Sequence, residues 1–435
     1  MKITFLGAGS TVFVRNVLGD CLVTPALCEA EYALYDIDAE RLDDSYQMLM
    51  SLNRNSNDSK AKLTTYIGLD QLEDALRGAD FVICAIQVGG YEPATVRDFE
   101  IPKKYGLKQT IGDTLGVAGV FRALRTLPVF DQFADAMEKV CPDAWFINYV
   151  NPMAILTGYM QRYRKIKTVG LCHSVQVCVP HLLESLQMEY DDQIQWKIAG
   201  INHMAWLLEV TKDGKDLYPE ILAKEKEVGT PEKDKVRFDM MHRFGYYVTE
   251  SSEHNAEYHP YYIKDKYPEL IDELNIPLDE YPRRCINQIE DWKKTRAELT
   301  ENHDLTHDRS NEYCSYIIEA MVTNKPYKFG GNVLNTGLIP NLPQKACVEV
   351  PCIADASGVA PTYVGELPEI CAALNRTNIN VQLLTIEAYL SKEKRDVYRA
   401  CQLDPHTVSE LSLDDIEALC DEMLEAHRDF LGEYK

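Results

Sequence analysis

The stretch Ile3-Thr4-Phe5-Leu6-Gly7-Ala8-Gly9-Ser10-Thr11-Val12 decides the fold of the chain. Its first four residues are a strand-like, mostly apolar run, and a glycine turn follows directly. Two glycines let the backbone turn sharply and approach a pyrophosphate held at the N-terminus of the next helix. The third glycine of the dinucleotide-binding pattern is missing, so the turn alone is a weak signal. The predicted cofactor contacts are Gly7, Gly9, Ser10 and Thr11.

A second strand-like run, residues 31–35, ends in Asp36. A carboxylate at this place accepts hydrogen bonds from an adenosine ribose and repels a 2′-phosphate. The two features together therefore favour an NAD site over an NADP site. The alternative is a plain tight turn beside a solvated acidic strand end, which the position and order of the two features make the weaker interpretation.

Short apolar runs alternate with helical stretches along the first half of the chain, which predicts an α/β fold with a Rossmann-type, doubly wound parallel sheet. The predicted strands are residues 3–6, 31–35, 81–86, 145–150 and 168–171. Farther on, residues 196–200 and 204–210 also read as strands, and Asp213-Gly214 offers a hairpin turn. We expect an NAD-binding Rossmann domain over residues 1–195 and an α+β domain over 196–435 for substrate, metal and oligomerisation.

The end of the chain carries an amphipathic helix over residues 413–431, with Ser412 and Asp415 as a capping box. We interpret this helix as packed on the core, with a subunit contact as the alternative.

Composition excludes several classes of protein. The 435 residues exceed the size of a single core, ~250–300 residues, which predicts two packed units. The chain has 45 Lys and Arg against 68 Asp and Glu, a net charge of −23, which makes nucleic acid a poor partner. No apolar stretch reaches the ~18–20 residues of a membrane span, and no signal peptide is evident, so we expect a cytoplasmic protein without membrane contact. The 13 cysteines are an odd number without a Cys-x-x-Cys pair, which argues against a disulfide framework.

A metal site is predicted where the fifth strand ends. Cys172 and His173 follow that strand, and His203 comes about thirty residues later at the start of another. Residues just past the carboxyl ends of parallel strands line the ligand crevice. A thiolate and an imidazole from two segments form a plausible catalytic metal site, for which ligand softness alone suggests zinc. The alternative is a buried cysteine and a hydrogen-bonded histidine, each common singly.

These segments together resemble glycoside hydrolase family 4, the NAD-dependent and metal-dependent glycosidases. The resemblance spans nearly the whole chain, and Cys172-His173-Ser174-Val175 is similar to the α-galactosidase subgroup. Asp113 and Val117 depart from other subgroups, which often have Glu and Gly there. The segments that carry the resemblance are the amino-terminal turn and residues 109–116, 121–125, 148–153, 172–175, 200–203, 250–258, 341–343 and 348–352.

The resemblance implies a lactate-dehydrogenase-like Rossmann domain, NAD⁺, and a divalent ion, typically manganese, held by Cys172 and His203. The implied reaction is hydrolysis of an α-galactoside by oxidation at C3, removal of the C2 proton, elimination of the C1 substituent and addition of water. An α-glucosidase or α-galacturonidase of the same family is the alternative. A 2-hydroxy-acid dehydrogenase and an NAD-binding sensor without turnover are more distant readings.

Individual roles also follow from the resemblance. Tyr258 is the expected base for the C2 proton, with its pKa brought down by a nearby positive charge. His173 is expected to protonate the leaving oxygen or to bind the aglycone, with orientation of the metal site as the alternative. Asn151 is expected to bind both cofactor and sugar, or to cap the next helix at Pro152. A homodimer or homotetramer is expected from family habit. The remaining implied substrate contacts are His254, Glu257 and Arg284, of which the first two could also be read as metal ligands.

Overall fold

The computed structural model describes residues 1–191 and 193–435. Within these residues, all strands belong to one sheet of 13 strands. The strands are β1 Lys2–Leu6, β2 Glu31–Asp36, β3 Lys62–Ile67, β4 Phe81–Cys84, β5 Trp145–Asn148, β6 Lys167–Gly170, β7 Ile194–Ile201, β8 Met204–Lys212, β9 Lys215–Asp216, β10 Tyr247–Val248, β11 Tyr327–Leu334, β12 Cys347–Asp355 and β13 Gly358–Pro361.

Helices cover both faces of this sheet. The helices are α1 Thr11–Leu22, α2 Ala39–Asn57, α3 Leu72–Leu76, α4 Val96–Lys104, α5 Gly116–Val140, α6 Met153–Tyr163, α7 His173–Ser185, α8 Tyr218–Val228, α9 Lys235–Phe244, α10 Ser252–Glu257, α11 Glu269–Glu273, α12 Glu280–Glu301, α13 Cys314–Thr323, α14 Glu369–Ser391, α15 Lys394–Gln402, α16 Pro405–Glu410, α17 Leu413–Ala426 and α18 Arg428–Leu431.

The first six strands are parallel and lie in the order β3-β2-β1-β4-β5-β6, which is the order of Rossmann folds. Helices α1, α2 and α13 pack on one face, and α5, α6 and α14 on the other. The predicted doubly wound sheet is therefore confirmed.

Two details differ from the expectation. Strand β3 was not predicted, because its pattern of Lys62, Thr64 and Thr65 lacks an apolar run at this sheet edge. Strands β4 and β5 end two residues earlier than predicted, because the chain leaves the sheet there to line the crevice.

The second half of the chain extends the same sheet with antiparallel strands. Strand β6 pairs with β11, β11 with β12, and β12 with β7, which in turn pairs with β8. A row of paired residues crosses this junction: Gly170, Asn332, Glu349 and Gly200. Cys172 lies two residues beyond one end of the row, and His203 three residues beyond the other. The division of the chain into two domains near residue 195 stays a prediction.

The predicted carboxyl-terminal helix over residues 413–431 is present as two helices, α17 and α18, with a break at His427. The Ser412 hydroxyl accepts the Asp415 N–H at 3.1 Å and caps α17, whose apolar side packs on α15 and α4. The described cysteines are all free thiols. Among the described residues, the helices lack the length and apolar character that a bilayer crossing requires.

Candidate active site

The turn after β1 packs so closely on its neighbours that it requires glycine at two positions. Gly7 has φ +93°, and its N–H donates to the Tyr35 carbonyl at 3.0 Å. A Cβ on Gly9 would lie 2.9 Å from Asp36 Oδ2, too close for another residue. The Ser10 side chain does not cap α1, so the N–H groups of the first turn, which lack partners within the helix, remain available. This cradle fits a pyrophosphate.

Asp36 joins this turn to the end of β2. Its Oδ2 accepts the Gly9 N–H at 2.6 Å, and its Oδ1 accepts the Ile37 N–H at 2.8 Å. The Thr11 hydroxyl lies inside the protein, 2.9 Å from Ser45 Oγ, so only its backbone can face a cofactor. Ser10 precedes α1 as its first flanking residue.

Three metal-ligating side chains meet beyond β6 and β7. Single ligand atoms of Cys172, His203 and Glu250 all lie within 4.8 Å of one another. Cys172 precedes α7, His203 occupies the tight turn between β7 and β8, and Glu250 lies just before α10. Both His203 and Glu250 have φ +63°, a rare conformation for residues other than glycine that aims their side chains inward. A thiolate, an imidazole and a carboxylate fit a divalent transition metal with positions left open.

The charges of this cluster suit a cation. Burial tends to raise the pKa of Glu250, but His254, His203 and the Ser251 N–H outweigh it and lower that pKa to about 2. Burial, with Glu349 and Glu250 nearby, raises the pKa of the Cys172 thiol well above its ordinary value. A metal must therefore displace the thiol proton when it binds.

The second ring nitrogen of His203 faces two hydroxyl groups. Its Nδ1 lies 3.0 Å from the Tyr258 hydroxyl and 3.2 Å from Thr114 Oγ1. Its Nε2 lies on the other side, 3.5 Å from Glu250 Oε2. Tyr258 is fully buried, and burial together with Asp113 and Glu257 raises its pKa well above 10. The sequence predicted a lowered pKa for Tyr258, but the protein without a metal does not lower it, because the charged groups near the hydroxyl are carboxylates. A cation bound at the cluster would lower this pKa.

The polar groups beside the cluster form one network. The His254 ring lies 4.9 Å from that of His203, and its Nε2 lies 3.8 Å from Asp113 Oδ1. Asn151 Nδ2 donates to Asp113 Oδ2 at 3.1 Å, while the Asn151 carbonyl accepts from Arg122 Nε at 3.2 Å. Burial tends to raise the pKa of Asp113, but His254 and Arg122 lower it overall. Hydroxyl-binding groups thus surround the metal-ligating side chains.

Two family models match the chain. The model of the family 4 glycosyl hydrolases matches residues 2–188, and that of the family 4 glycosyl hydrolase C-terminal domain matches residues 198–407.

The chain belongs to the family 4 glycosyl hydrolases.

Individual relatives extend over the full length. An alpha-galactosidase of Bacillus subtilis (strain 168) is 63% identical over 436 residues, covering 100% of both chains. An alpha-galacturonidase of Thermoanaerobacter italicus is 29% identical and covers 99% of this chain and 97% of its own. The crystal structure of a 6-phospho-alpha-glucosidase from gut microorganisms, in complex with NAD and Mn²⁺, superposes with a TM-score of 0.82 at 22% identity, covering 100% of this chain and 99% of that one. At that identity, the similarity concerns the fold.

In this family 4 glycosyl hydrolase, His173 lies beside the metal-ligating cluster at the start of α7. Its Nε2 lies 2.7 Å from Glu312 Oε2, and its ring is near those of Tyr149 and Tyr313. Burial tends to lower the pKa of His173, but the Glu312 carboxylate outweighs it and raises that pKa. The side chain remains 43% exposed, so it can reach a bound molecule.

Two implied substrate contacts have other partners. The Glu257 carboxylate accepts backbone N–H groups of Thr110 at 2.9 Å and Gly112 at 2.8 Å. Arg284 is 42% exposed and pairs with Glu280 at 2.9 Å and with Glu253. Neither contacts the metal-ligating cluster.

The sequence interpretation missed two acidic residues of the site. Glu250 belongs to the segment that carries the family resemblance, but nothing in the pattern assigned it a role. Glu312 lies far from His173 along the chain and follows no motif.

Proposed function

We propose that this family 4 glycosyl hydrolase cleaves α-galactosides of unphosphorylated sugars, using NAD⁺ and Mn²⁺. The observation that carries the substrate is the 63% identity, over full length, to a protein named alpha-galactosidase. The glycine turn with Asp36 supports NAD⁺. The cluster of Cys172, His203 and Glu250 supports the metal, as does the complex of the 6-phospho-alpha-glucosidase with NAD and Mn²⁺.

When bound, NAD⁺ supplies reversible oxidation at the sugar C3, and the divalent metal supplies polarisation of the C3 oxygen. Cys172, His203 and Glu250 would hold the metal. Tyr258 takes the proton from C2 as its phenolate, the form that the charge of a cation held at the cluster would favour. Its oxygen adjoins His203 Nδ1 at 3.0 Å. This step makes the carbon beside C1 electron-rich, so that the bond to the leaving oxygen breaks.

His173 donates a proton to the leaving oxygen as that bond breaks. Its hydrogen bond to Glu312 and its partial exposure suit this role. Asn151, Asp113 and His254 bind sugar hydroxyls, since their polar atoms converge beside the cluster. Asn151 also contacts the cofactor. Arg284, which is 42% exposed, contacts only the outer end of the substrate.

Charge favours a neutral sugar over an anionic one. Asp113 and Glu250 have lowered pKa values and stay ionised. The nearby Arg122 already donates to the Tyr281 hydroxyl at 3.1 Å and to the Asn151 carbonyl. A galacturonide carboxylate or a sugar phosphate beside Asp113 would therefore meet a like charge, and Arg122 is already engaged by other partners.

We also propose that the enzyme works in the cytoplasm as a homodimer or homotetramer. Free thiols along the chain suit a reducing compartment. Exposed apolar side chains in the carboxyl-terminal part of the chain suit a subunit contact. They are Ile370, Leu390, Leu403, Val408 and Leu413.

The experiment is a panel of 4-nitrophenyl α-glycosides, assayed with and without NAD⁺ and Mn²⁺ under reducing conditions. Release of nitrophenol from the galactoside, dependent on both additions, is the expected result. A galactoside deuterated at C2 should exchange its deuterium with solvent during turnover. Full activity in enzyme stripped of NAD would overturn the oxidation pathway, and preference for the glucoside or galacturonide would overturn the substrate.

A further inference from the structure

Glu257 ends the short helix α10 with its carboxylate buried against a loop. Oε2 accepts the Thr110 N–H at 2.9 Å, and Oε1 accepts the Gly112 N–H at 2.8 Å. The Ile111 N–H lies 3.3 Å from both oxygens. Three successive N–H groups thus converge on one carboxylate, an arrangement that binds anions. Gly112 has φ +58°, which permits the loop to present its N–H groups this way.

The loop that Glu257 binds carries residues of the site. Asp113 and Thr114 follow directly after the three N–H groups. Thr114 Oγ1 lies 3.2 Å from His203 Nδ1, and Asp113 Oδ2 accepts from Asn151 at 3.1 Å. A change in the path of the loop would therefore move both side chains relative to His203.

The far end of the loop is held in a similar way. The Gly116 N–H, at the start of α5, donates to Asp404 Oδ2 at 3.1 Å. Asp404 is fully buried, and its Oδ1 caps α16 through the Thr407 N–H at 2.8 Å. Buried carboxylates thus hold the loop of residues 110–116 at both ends.

We infer that Glu257 is a positioning residue that holds the loop of residues 110–116 in its active geometry, and that it makes no contact with the sugar. A carboxylate has about four lone-pair sites, and the three N–H groups occupy both of its oxygens. The residue is 4% exposed, so a sugar would have to displace the loop to reach it. The family resemblance implied that Glu257 contacts the substrate, and the positioning role replaces that contact. The kinetic test of this role rests on the proposed function.

Two substitutions separate the effect of the charge of Glu257 from the effect of its side-chain length. Glu257→Gln keeps the size but replaces one accepting oxygen with an NH₂ group, which confronts a backbone N–H. Glu257→Asp keeps the charge but shortens the side chain by one methylene. Glu225→Gln is the matched control, because Glu225 is 5% exposed and pairs with Thr230 and His242 away from the site.

The first measurement is hydrogen exchange of the peptide containing residues 108–116, in enzyme loaded with NAD⁺ and Mn²⁺. Exchange should be faster in both Glu257 variants and unchanged in the control. This measurement does not require turnover, so it decides the loop contact even if the α-galactoside is not the substrate. Unchanged exchange in both Glu257 variants would overturn the inference.

The second measurement is steady-state kinetics on 4-nitrophenyl α-galactoside. Displacement of the loop should lower kcat on the order of 10²-fold, because Thr114 and Asp113 both move relative to His203. KM should rise as well, since Asp113 binds the sugar. Thr114→Val should add little to Glu257→Gln, because both act through the same loop. A raised KM with unchanged kcat would instead identify a sugar contact and contradict the inference. If Glu257→Gln does not fold, Thr110→Val takes its place. It removes the hydrogen bond from the Thr110 hydroxyl to the Glu253 carbonyl at 2.6 Å, and it should lower kcat by a smaller factor.

Discussion

Replacement of Tyr258 by Phe tests the base in the proposed reaction. The substitution removes only a hydroxyl group, and the ring keeps its buried place 6.4 Å from the His203 ring. Loss of a general base costs ~10²–10⁴-fold in rate, or about 3–5 kcal/mol of barrier. The variant should therefore fold normally and bind NAD⁺, but its kcat should fall by this factor.

The same hydroxyl has a second effect that must be separated from the first. It lies 3.0 Å from His203 Nδ1, and loss of such a partner of a metal ligand weakens metal binding by ~10–100-fold. We therefore expect weaker Mn²⁺ binding, measured from the electron paramagnetic resonance signal of the free ion. Turnover must then be compared at Mn²⁺ concentrations that saturate each protein.

The decisive assay is kcat at saturating Mn²⁺, together with solvent exchange at C2 of the galactoside. Tyr258→Phe should lose both, whereas Tyr261→Phe, whose residue is 45% exposed, serves as the control. Wild-type kcat in Tyr258→Phe under these conditions would refute the reasoning. The hydroxyl would then act only on His203, and another group would remove the proton.

Further predictions concern metal binding and stability. Glu250→Gln should raise the Kd of Mn²⁺ by ~10-fold or more by isothermal titration, because it removes one charge and one ligand; an unchanged Kd would exclude Glu250 from the site. His259 is 1% exposed, and burial lowers its pKa to about 3, so below pH 6.5 the unfolded state gains a proton that the folded state lacks. The free energy of unfolding should thus fall by about 2 kcal/mol from pH 7.5 to pH 5, and His259→Phe should lose this part of the pH dependence in urea titrations. Arg125→Met should destabilise the protein by about 3–5 kcal/mol in the same titrations, because it leaves the buried Asp98 without its paired guanidinium; a loss under 1 kcal/mol would contradict this.

Local patterns predicted the parallel half of the sheet and also strands β7 and β8, with the hairpin turn after β8, but not strands β11 and β12 that join the two halves. Strands β1, β2 and β6 are apolar runs between clear turns, and their order follows from general rules of connection. Strands β11 and β12 contain Gly330-Gly331 and Pro351, which interrupt any apolar run. Their pairing with β6 and β7 depends on contacts far apart in the chain, which periodicity does not record.

The site was predicted where the residue types are informative. Cysteine and histidine at the end of a strand indicate a metal, and Cys172 and His203 do lie together. Glu250 is one of 68 acidic residues, so its type alone says little. It joins the cluster where its backbone adopts φ +63° before α10, which is a property of the folded chain.

The interleaved sheet has a consequence for synthesis of the chain on the ribosome. Strand β6 ends at Gly170, but its neighbour β11 begins only at Tyr327, about 160 residues later. At ~5–20 residues per second, the nascent chain carries an unpaired strand edge for about 10–30 s. Such an edge pairs readily with other chains. The emerging first half therefore needs shielding during translation, and a fragment of residues 1–195 should aggregate when produced alone.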